Sequence, residues 1–274
     1  MTGRATSLKA AALSLAAALA AATPASAGIY FEQTVTSEGD GGGMKMRVRG
    51  WAEGEMARIE YVESNNPIMP PGSFVLTVDG GRTVHLINPK KRTYAEFDLA
   101  QAFSILNQLQ GAGGQARIAF KDPVSETLGT GPGETVLGYA TTRHSWRSGF
   151  TMEMKIAFMN RSQRSVTTTD AWITTALRYP ALFVWLKPTA PATGNEELDR
   201  HLRDEAARLD EGLALKMDQE TITTSGKGRK STSRTRFEVT TLREEAIDAS
   251  RFAMPTDYTR VPLIPGASRA RSNR

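Results

Sequence analysis

Met44-Lys45-Met46-Arg47-Val48-Arg49-Gly50-Trp51 and, after a short connection, Glu55-Met56-Ala57-Arg58-Ile59-Glu60-Tyr61-Val62 alternate apolar with polar side chains over most of their length. Side chains on a strand point to opposite faces with a period of two, so this pattern predicts two strands with one buried face each. The pattern spreads outward in both directions. Ile29 to Thr36, Phe74 to Asp79, Thr83 to Ile87 and Thr93 to Phe97 carry the same β-branched and aromatic alternation at hairpin spacing. Gly39-Asp40-Gly41-Gly42-Gly43 and Asp79-Gly80-Gly81 supply the positive φ angles that tight connections need, and Asn88-Pro89 ends a further strand. An antiparallel meander is expected.

Between Asp98 and Gln110 the period changes. Asp98 stands at an N-cap position, and Leu99, Ala102, Phe103, Leu106 and Leu109 recur at three- and four-residue steps, which predicts one amphipathic helix closed by Gly111 to Gly114. Strand character returns at Arg117 to Phe120, Glu134 to Trp146, Thr151 to Met159 and Gln163 to Thr174. A second interruption holds the apolar run Ala181 to Leu186, fenced by Pro180 and Pro188, and a charged helix from about Glu196. Leu213 to Thr224 and Thr232 to Leu242 then form a last hairpin across Gly226-Lys227-Gly228. Neither a repeat nor a long linker divides the chain. The fold class is therefore mainly β: a curved antiparallel sheet, or unclosed β-barrel, with two helical insertions over one face or end.

The N-terminus has a different character. Arg4 and Lys9 precede an Ala/Leu run from Ala10 to Ala22, and Ala25-Ser26-Ala27 has the small-residue spacing of a peptidase site, so residues 1–27 read as a signal peptide cleaved after Ala27. The run of about 13 residues falls short of the roughly 20 that span a bilayer. A single β-rich domain over residues 28–258 and a basic, solvated tail over 259–274 follow, and the product is expected to be periplasmic or secreted and soluble. Anionic head groups are the alternative role for that tail, which carries Arg260, Arg269, Arg271 and Arg274.

Composition excludes several chemistries. The formal charge of +5 falls to about +3 without Arg4 and Lys9, too little to argue for nucleic acid. The absence of cysteine removes disulfides, thiolate metal sites, a cysteine nucleophile and the acylated cysteine of a lipoprotein. His85, His144 and His201 fall in separate elements without metal-ligand spacing; His201 and Glu205 are a helical i, i+4 pair expected on a solvated face. Neither a Gly-x-Ser-x-Gly elbow nor a His-Glu-x-x-His helix occurs. Gly226 to Ser231 lacks the order of a phosphate loop and reads as a basic hairpin tip. The expectation is no catalytic residue, no metal and no cofactor.

Methionine placement is the positive signal. Met44 and Met46 with Val48, and Met152 and Met154 with Ile156 and Phe158, fall on single strand faces. An unbranched, polarizable side chain conforms to variable apolar ligands, so these residues are candidates for lining a lipid or hydrophobic-peptide lumen. The competing reading is the ordinary core of a β protein. Phe183 and Trp185, in the run Ala181 to Leu186, complete the candidate set as a movable cover or as a fixed core element.

The order of parts resembles the periplasmic lipoprotein-carrier superfamily of LolA/LolB type, and more narrowly an uncharacterised exported bacterial family of that neighbourhood. The resemblance rests on Tyr30-Phe31-Glu32-Gln33, Gly138-Tyr139-Ala140-Thr141-Thr142, Asp170-Ala171-Trp172 and Phe252-Ala253-Met254-Pro255 with Tyr258. It implies an unclosed barrel whose concave side holds acyl chains beneath helices; no functional residue of the superfamily is carried over. The expected function is non-catalytic binding of an acyl chain, lipid or lipoprotein, with a membrane or envelope protein as possible partner. Two rivals stand beside it. One is an envelope scaffolding module; the other is a hydrolase in which His85, His144, Arg143 and Asp170 would converge.

Overall fold

A computed structural model describes residues 28–39, 43–97, 116–156, 159–177, 196–208 and 212–262. The expected signal peptide, the helix from Asp98, the run with Phe183 and Trp185, and most of the basic tail lie outside these residues.

The described strands are β1 (Gly28–Gly39), β2 (Met44–Glu53), β3 (Met56–Ser64), β4 (Phe74–Thr77), β5 (Val84–Asn88), β6 (Thr93–Phe97), β7 (Ala116–Pro132), β8 (Thr142–Ile156), β9 (Met159–Thr174), β10 (Leu213–Ser225), β11 (Lys230–Glu245) and β12 (Thr259–Arg260). Among the described residues the α-helix, α1, spans Glu196–Arg208. The strands form one unclosed sheet in the order β12-β6-β5-β4-β3-β2-β1-β11-β10-β9-β8-β7. Two antiparallel meanders, β1 to β6 and β7 to β11, are thus joined where β11 pairs with β1. The fold is the mainly β, curved and unclosed sheet that the alternation predicts.

Register explains the two faces. Along β2, Met44, Met46, Val48, Gly50 and Ala52 share one face, here called the front, and Lys45, Arg47, Arg49 and Trp51 the back. Gly50 sits opposite Phe31, and a Cβ there would stand 2.2 Å from the Phe31 ring, so the glycine lets that ring lie flat across the strand. The front core joins Ile29, Phe31, Val48, Ile59, Tyr61, Val75, Leu213, Leu215 and Val239. The back core gathers Tyr30, Trp51, Phe74, Leu76 and Ile87 around Phe252.

Phe252 arrives from far along the chain. After β11 a single 3-10 turn, Ala249–Phe252, is capped by the Asp248 carboxylate, which accepts from the Ser250 N–H at 2.9 Å. The Arg58 guanidinium lies 3.8 Å from the centre of the Phe74 ring and donates to the Arg251 carbonyl at 3.1 Å, fixing the segment to β3. The chain then runs parallel to β6 as β12, with Arg92 paired to Asp257 and Arg260 to Glu96. Residues 246–262 therefore strap the back of the first meander and cover its β6 edge.

Two expectations are corrected. Residues 133–141 are not a strand: Leu137 (φ 51°) and Gly138 (φ 85°) make a tight turn in which Val136 and Tyr139 exchange backbone hydrogen bonds of 3.0 and 2.9 Å, and β8 starts only at Thr142. β7 runs on to Pro132 instead of ending near Phe120. Its register shifts at Lys121/Val124 and Thr127/Gly129 absorb residues that read as breakers, among them Asp122 at φ 50°.

Candidate functional site

The front face is concave. One hollow of about 460 Å³ is lined by residues from β3 and from β10, which stand four strand positions apart. A flat sheet would separate them by roughly 19 Å at about 4.8 Å per strand, so the sheet must curl to bring both onto one cavity. β1 contributes Phe31, Gln33 and Val35; β2 contributes Met44, Met46 and Val48; β3 contributes Ile59 and Tyr61. Met217 on β10 and Phe237 and Val239 on β11 form the opposite wall.

The loop between β3 and β4 makes one lip, bringing Asn66 and Met69 to the hollow. It is held by its own polar groups. Asn65 accepts from the Lys45 N–H at 3.0 Å and donates to the Gly43 carbonyl at 2.7 Å, while Tyr61 and Ser73 are joined by a backbone hydrogen bond of 2.9 Å. The turn at residues 133–141 packs Val136 and Tyr139 against the same core.

Polarity inside is sparse and neutral. Among the described residues, Gln33, Asn66, Gln219 and Thr235 are its polar side chains besides the Tyr61 phenol, and none of its lining side chains is charged. Gln219 donates to Thr169 at 3.3 Å and Thr235 to Ser37 at 3.0 Å. Burial pushes the Tyr61 phenol up to about 12, so it stays neutral and a hydrogen-bond donor at any physiological pH. Such a wall suits an apolar body and leaves few fixed points for orienting a reactive group.

The candidate residues divide. Met44, Met46 and Val48 line this hollow. Met152 and Met154 are on the same sheet face, as the registers through Gln163 and Arg161 on β9 require, but they line a separate depression at the outer end of β8. Between the two regions runs a band of hydroxyls. Thr167 and Thr221 are 2.9 Å apart across β9 and β10, and Ser165 and Thr223 3.4 Å apart. Ile156 closes β8 opposite Met159, and Phe158, Phe183 and Trp185 lie outside the residues whose side chains are described. Phe31, Tyr61, Met69, Met217 and Phe237 also line the hollow and are not among the residues that the sequence pattern singles out. The first, second and last continue period-two rows already noted, whereas Met69 sits in a loop that has no period.

The polar residues of the hydrolase alternative do not share a pocket. β5, with His85, and β8, with His144, are separated by seven strands. Arg143 points to the back, where it donates to Asp170 at 2.7 Å, while His144 is on the front. Among the described residues no group of three or more His, Asp and Glu could hold a metal.

His201 differs from expectation. It is buried, not solvated, because the polar residues His201, Glu205 and Arg208, spaced at i, i+4 and i+7, turn inward onto the sheet. The His201 ring meets Phe150 edge-on at 6.3 Å, Trp146 donates to Glu205 at 2.9 Å, and Arg208 reaches Ser125 at 2.8 Å. These contacts dock α1 over β7 and β8.

Residues 44–258 match a domain of unknown function, DUF4412. No curated protein matches the chain. Among solved structures, similarity extends to a LolA superfamily protein from Nitrosomonas europaea, at 8% identity and a TM-score of 0.30, covering 84% of this chain and 91% of that one. A DUF1329 family protein from Desulfovibrio piger is similar at 9% identity and a TM-score of 0.31, covering 84% and 91%. PNGF-II is similar at 14% identity and a TM-score of 0.34, with 86% of this chain covering 31% of that one. No helix among the described residues is long and apolar enough to cross a membrane.

Proposed function

The chain belongs to the DUF4412 family, and from that premise we propose that it is an exported, periplasmic, non-catalytic binding protein that holds a hydrophobic ligand, an acyl chain of a lipid or lipoprotein, in the front-face hollow. The observation that carries this reading is the lining: methionines, aromatics and aliphatics with a few neutral polar groups and, among the described residues, no charged side chain. Each buried methylene contributes about 0.8 kcal/mol, so a chain of several methylenes is held without a polar anchor. The methionines Met44, Met46, Met69 and Met217 adapt their shape to different chains, which makes selection by length loose.

A titration with a fluorescent fatty acid, alongside native mass spectrometry of the purified protein, tests the proposal. Saturable binding that Met46→Asp abolishes is the expected result. Protein that is empty as purified and takes up no acyl probe after solvent extraction overturns it.

A further inference from the structure

Met152 and Met154 keep different company from the methionines of the hollow. They line a depression of about 980 Å³ at the outer end of the second meander, together with Lys121, Lys155, Arg161 and Lys227. Arg164 on β9, which the register sets on the back with Lys121 and Lys155, and Arg229 and Lys230 at the β10–β11 turn add exposed cations, so that positive charge flanks this end of the sheet from both faces. The turn is held in place: the Gly226 N–H donates to the Ser162 carbonyl at 2.7 Å, and Ser225 to the Arg229 carbonyl at 2.9 Å.

Charge pairing sets this end apart. On the back of the same strands nearly every arginine has a carboxylate: Arg236 with Asp218 at 2.7 Å, Arg234 with Glu220 at 2.8 Å, Arg147 with Glu126 at 3.0 Å. Among the described residues of the outer end, Lys121 is the paired cation, with Glu153 at 2.7 Å. No ion pair among the described residues neutralises Lys155, Arg161, Arg164, Lys227, Arg229 or Lys230. Cations left unpaired create a positive field, and half-buried methionines among them offer an apolar surface at the same level.

We propose that this end of the sheet docks on an anionic lipid bilayer. Phosphate head groups match the unpaired cations, and the methionines reach toward the acyl boundary beneath them. A nucleic acid would use the cations but leave the methionines without a role. The proposal concerns contact with the membrane and goes beyond the ligand of the hollow, on which it does not depend.

Flotation with vesicles of phosphatidylcholine alone, and of an equal mixture of phosphatidylcholine and phosphatidylglycerol, tests it. Binding is expected only to the mixture and should weaken with salt, since the screening length falls from about 10 Å at 0.1 M to 3 Å at 1 M. Each basic side chain near an anionic surface is worth roughly a fivefold factor, so Arg161→Gln, Lys227→Gln, Arg229→Gln and Lys230→Gln combined should weaken binding more than about a hundredfold. All four positions are exposed, and an unchanged thermal midpoint verifies the fold. Met152→Gln with Met154→Gln should weaken vesicle binding several-fold at constant charge. Neutralising Arg269, Arg271 and Arg274 in the tail should leave it unchanged.

Three results overturn the proposal: no preference for the anionic vesicles; a preference that survives the four tip substitutions and is lost with the tail; or equal binding to heparin that the methionine variant leaves untouched. Uptake of the acyl probe without vesicles should be the same in the tip variant as in the parent, which separates this failure from failure of the binding reading.

Discussion

The first meander and the second are parts of one sheet, yet they are held by different means. β1 to β6 bury side chains on both faces: Phe31, Ile59 and Val75 in front, Trp51, Leu76 and Ile87 behind under the strap. β7 to β11 are longer, 13 to 17 residues each, and their buried apolar residues, among them Trp146, Ala171, Ile173, Ala214, Leu215 and Val239, are gathered near one end. Beyond it the front carries a band of hydroxyls and then Met152 and Met154, and the back carries ion pairs, which contribute about 0–1 kcal/mol each when exposed. Stability is therefore concentrated in the first meander. The second is a wing held by its hydrogen-bond ladder.

The largest test of this contrast is Phe252→Ala. Phe252 is 4% exposed and is the strap's contribution to the back core, so its truncation should cost about 3–5 kcal/mol, read as a fall in the midpoint of urea unfolding. Hydrogen exchange should then show the first meander losing protection while amides at the outer end of the wing, already the least protected, change little. Uniform loss across all strands would mean that the two parts are one cooperative unit.

The next effect is a pH dependence confined to the first meander. The Tyr61 phenol is raised from 10.0 to about 12 by burial, so between those values the unfolded chain has released the proton while the folded chain still holds it. The contribution is intact below pH 10 and is lost as pH rises toward 12, amounting to about 2–3 kcal/mol. Alkaline unfolding followed by circular dichroism should show this fall, and Tyr61→Phe should flatten it. A slope that persists in Tyr61→Phe would assign the dependence to other groups.

How far this difference can be read from the residues follows from the same physics. Period-two alternation placed β1 to β6 to within a few residues, because each has an apolar face that must be buried, and it put Met44, Met46 and Val48 together. The β1–β11 pairing was out of reach, since any antiparallel edge offers the same backbone groups and only tertiary packing selects the partner. Local chemistry ends β7 near Phe120 because Asp122-Pro123, and further on Gly129, Gly131 and Pro132, are breakers, whereas the long neighbour β8 overrides them. Helical charges ordinarily face water, so the sequence alone places His201 in solvent. Here Trp146 offers an indole N–H that a carboxylate satisfies, which draws the polar stripe inward.

The smallest effect lies in the hydroxyl band between the hollow and the outer methionines. Thr167 and Thr221 are half-buried and satisfy each other at 2.9 Å. Removing one partner leaves the other hydroxyl short of a bond, at a cost of about 1 kcal/mol; replacing both by an apolar group of similar shape removes both demands and should be nearly neutral. Thr167→Val alone is therefore expected to be less stable than the double replacement with Thr221→Val, a non-additivity read in a double-mutant cycle of urea midpoints. The double variant also lengthens the apolar strip on the front face, so the acyl probe should bind at least as tightly as to the parent. Additive losses would mean that the two hydroxyls do not depend on each other, and that the ladder alone holds the wing at this level.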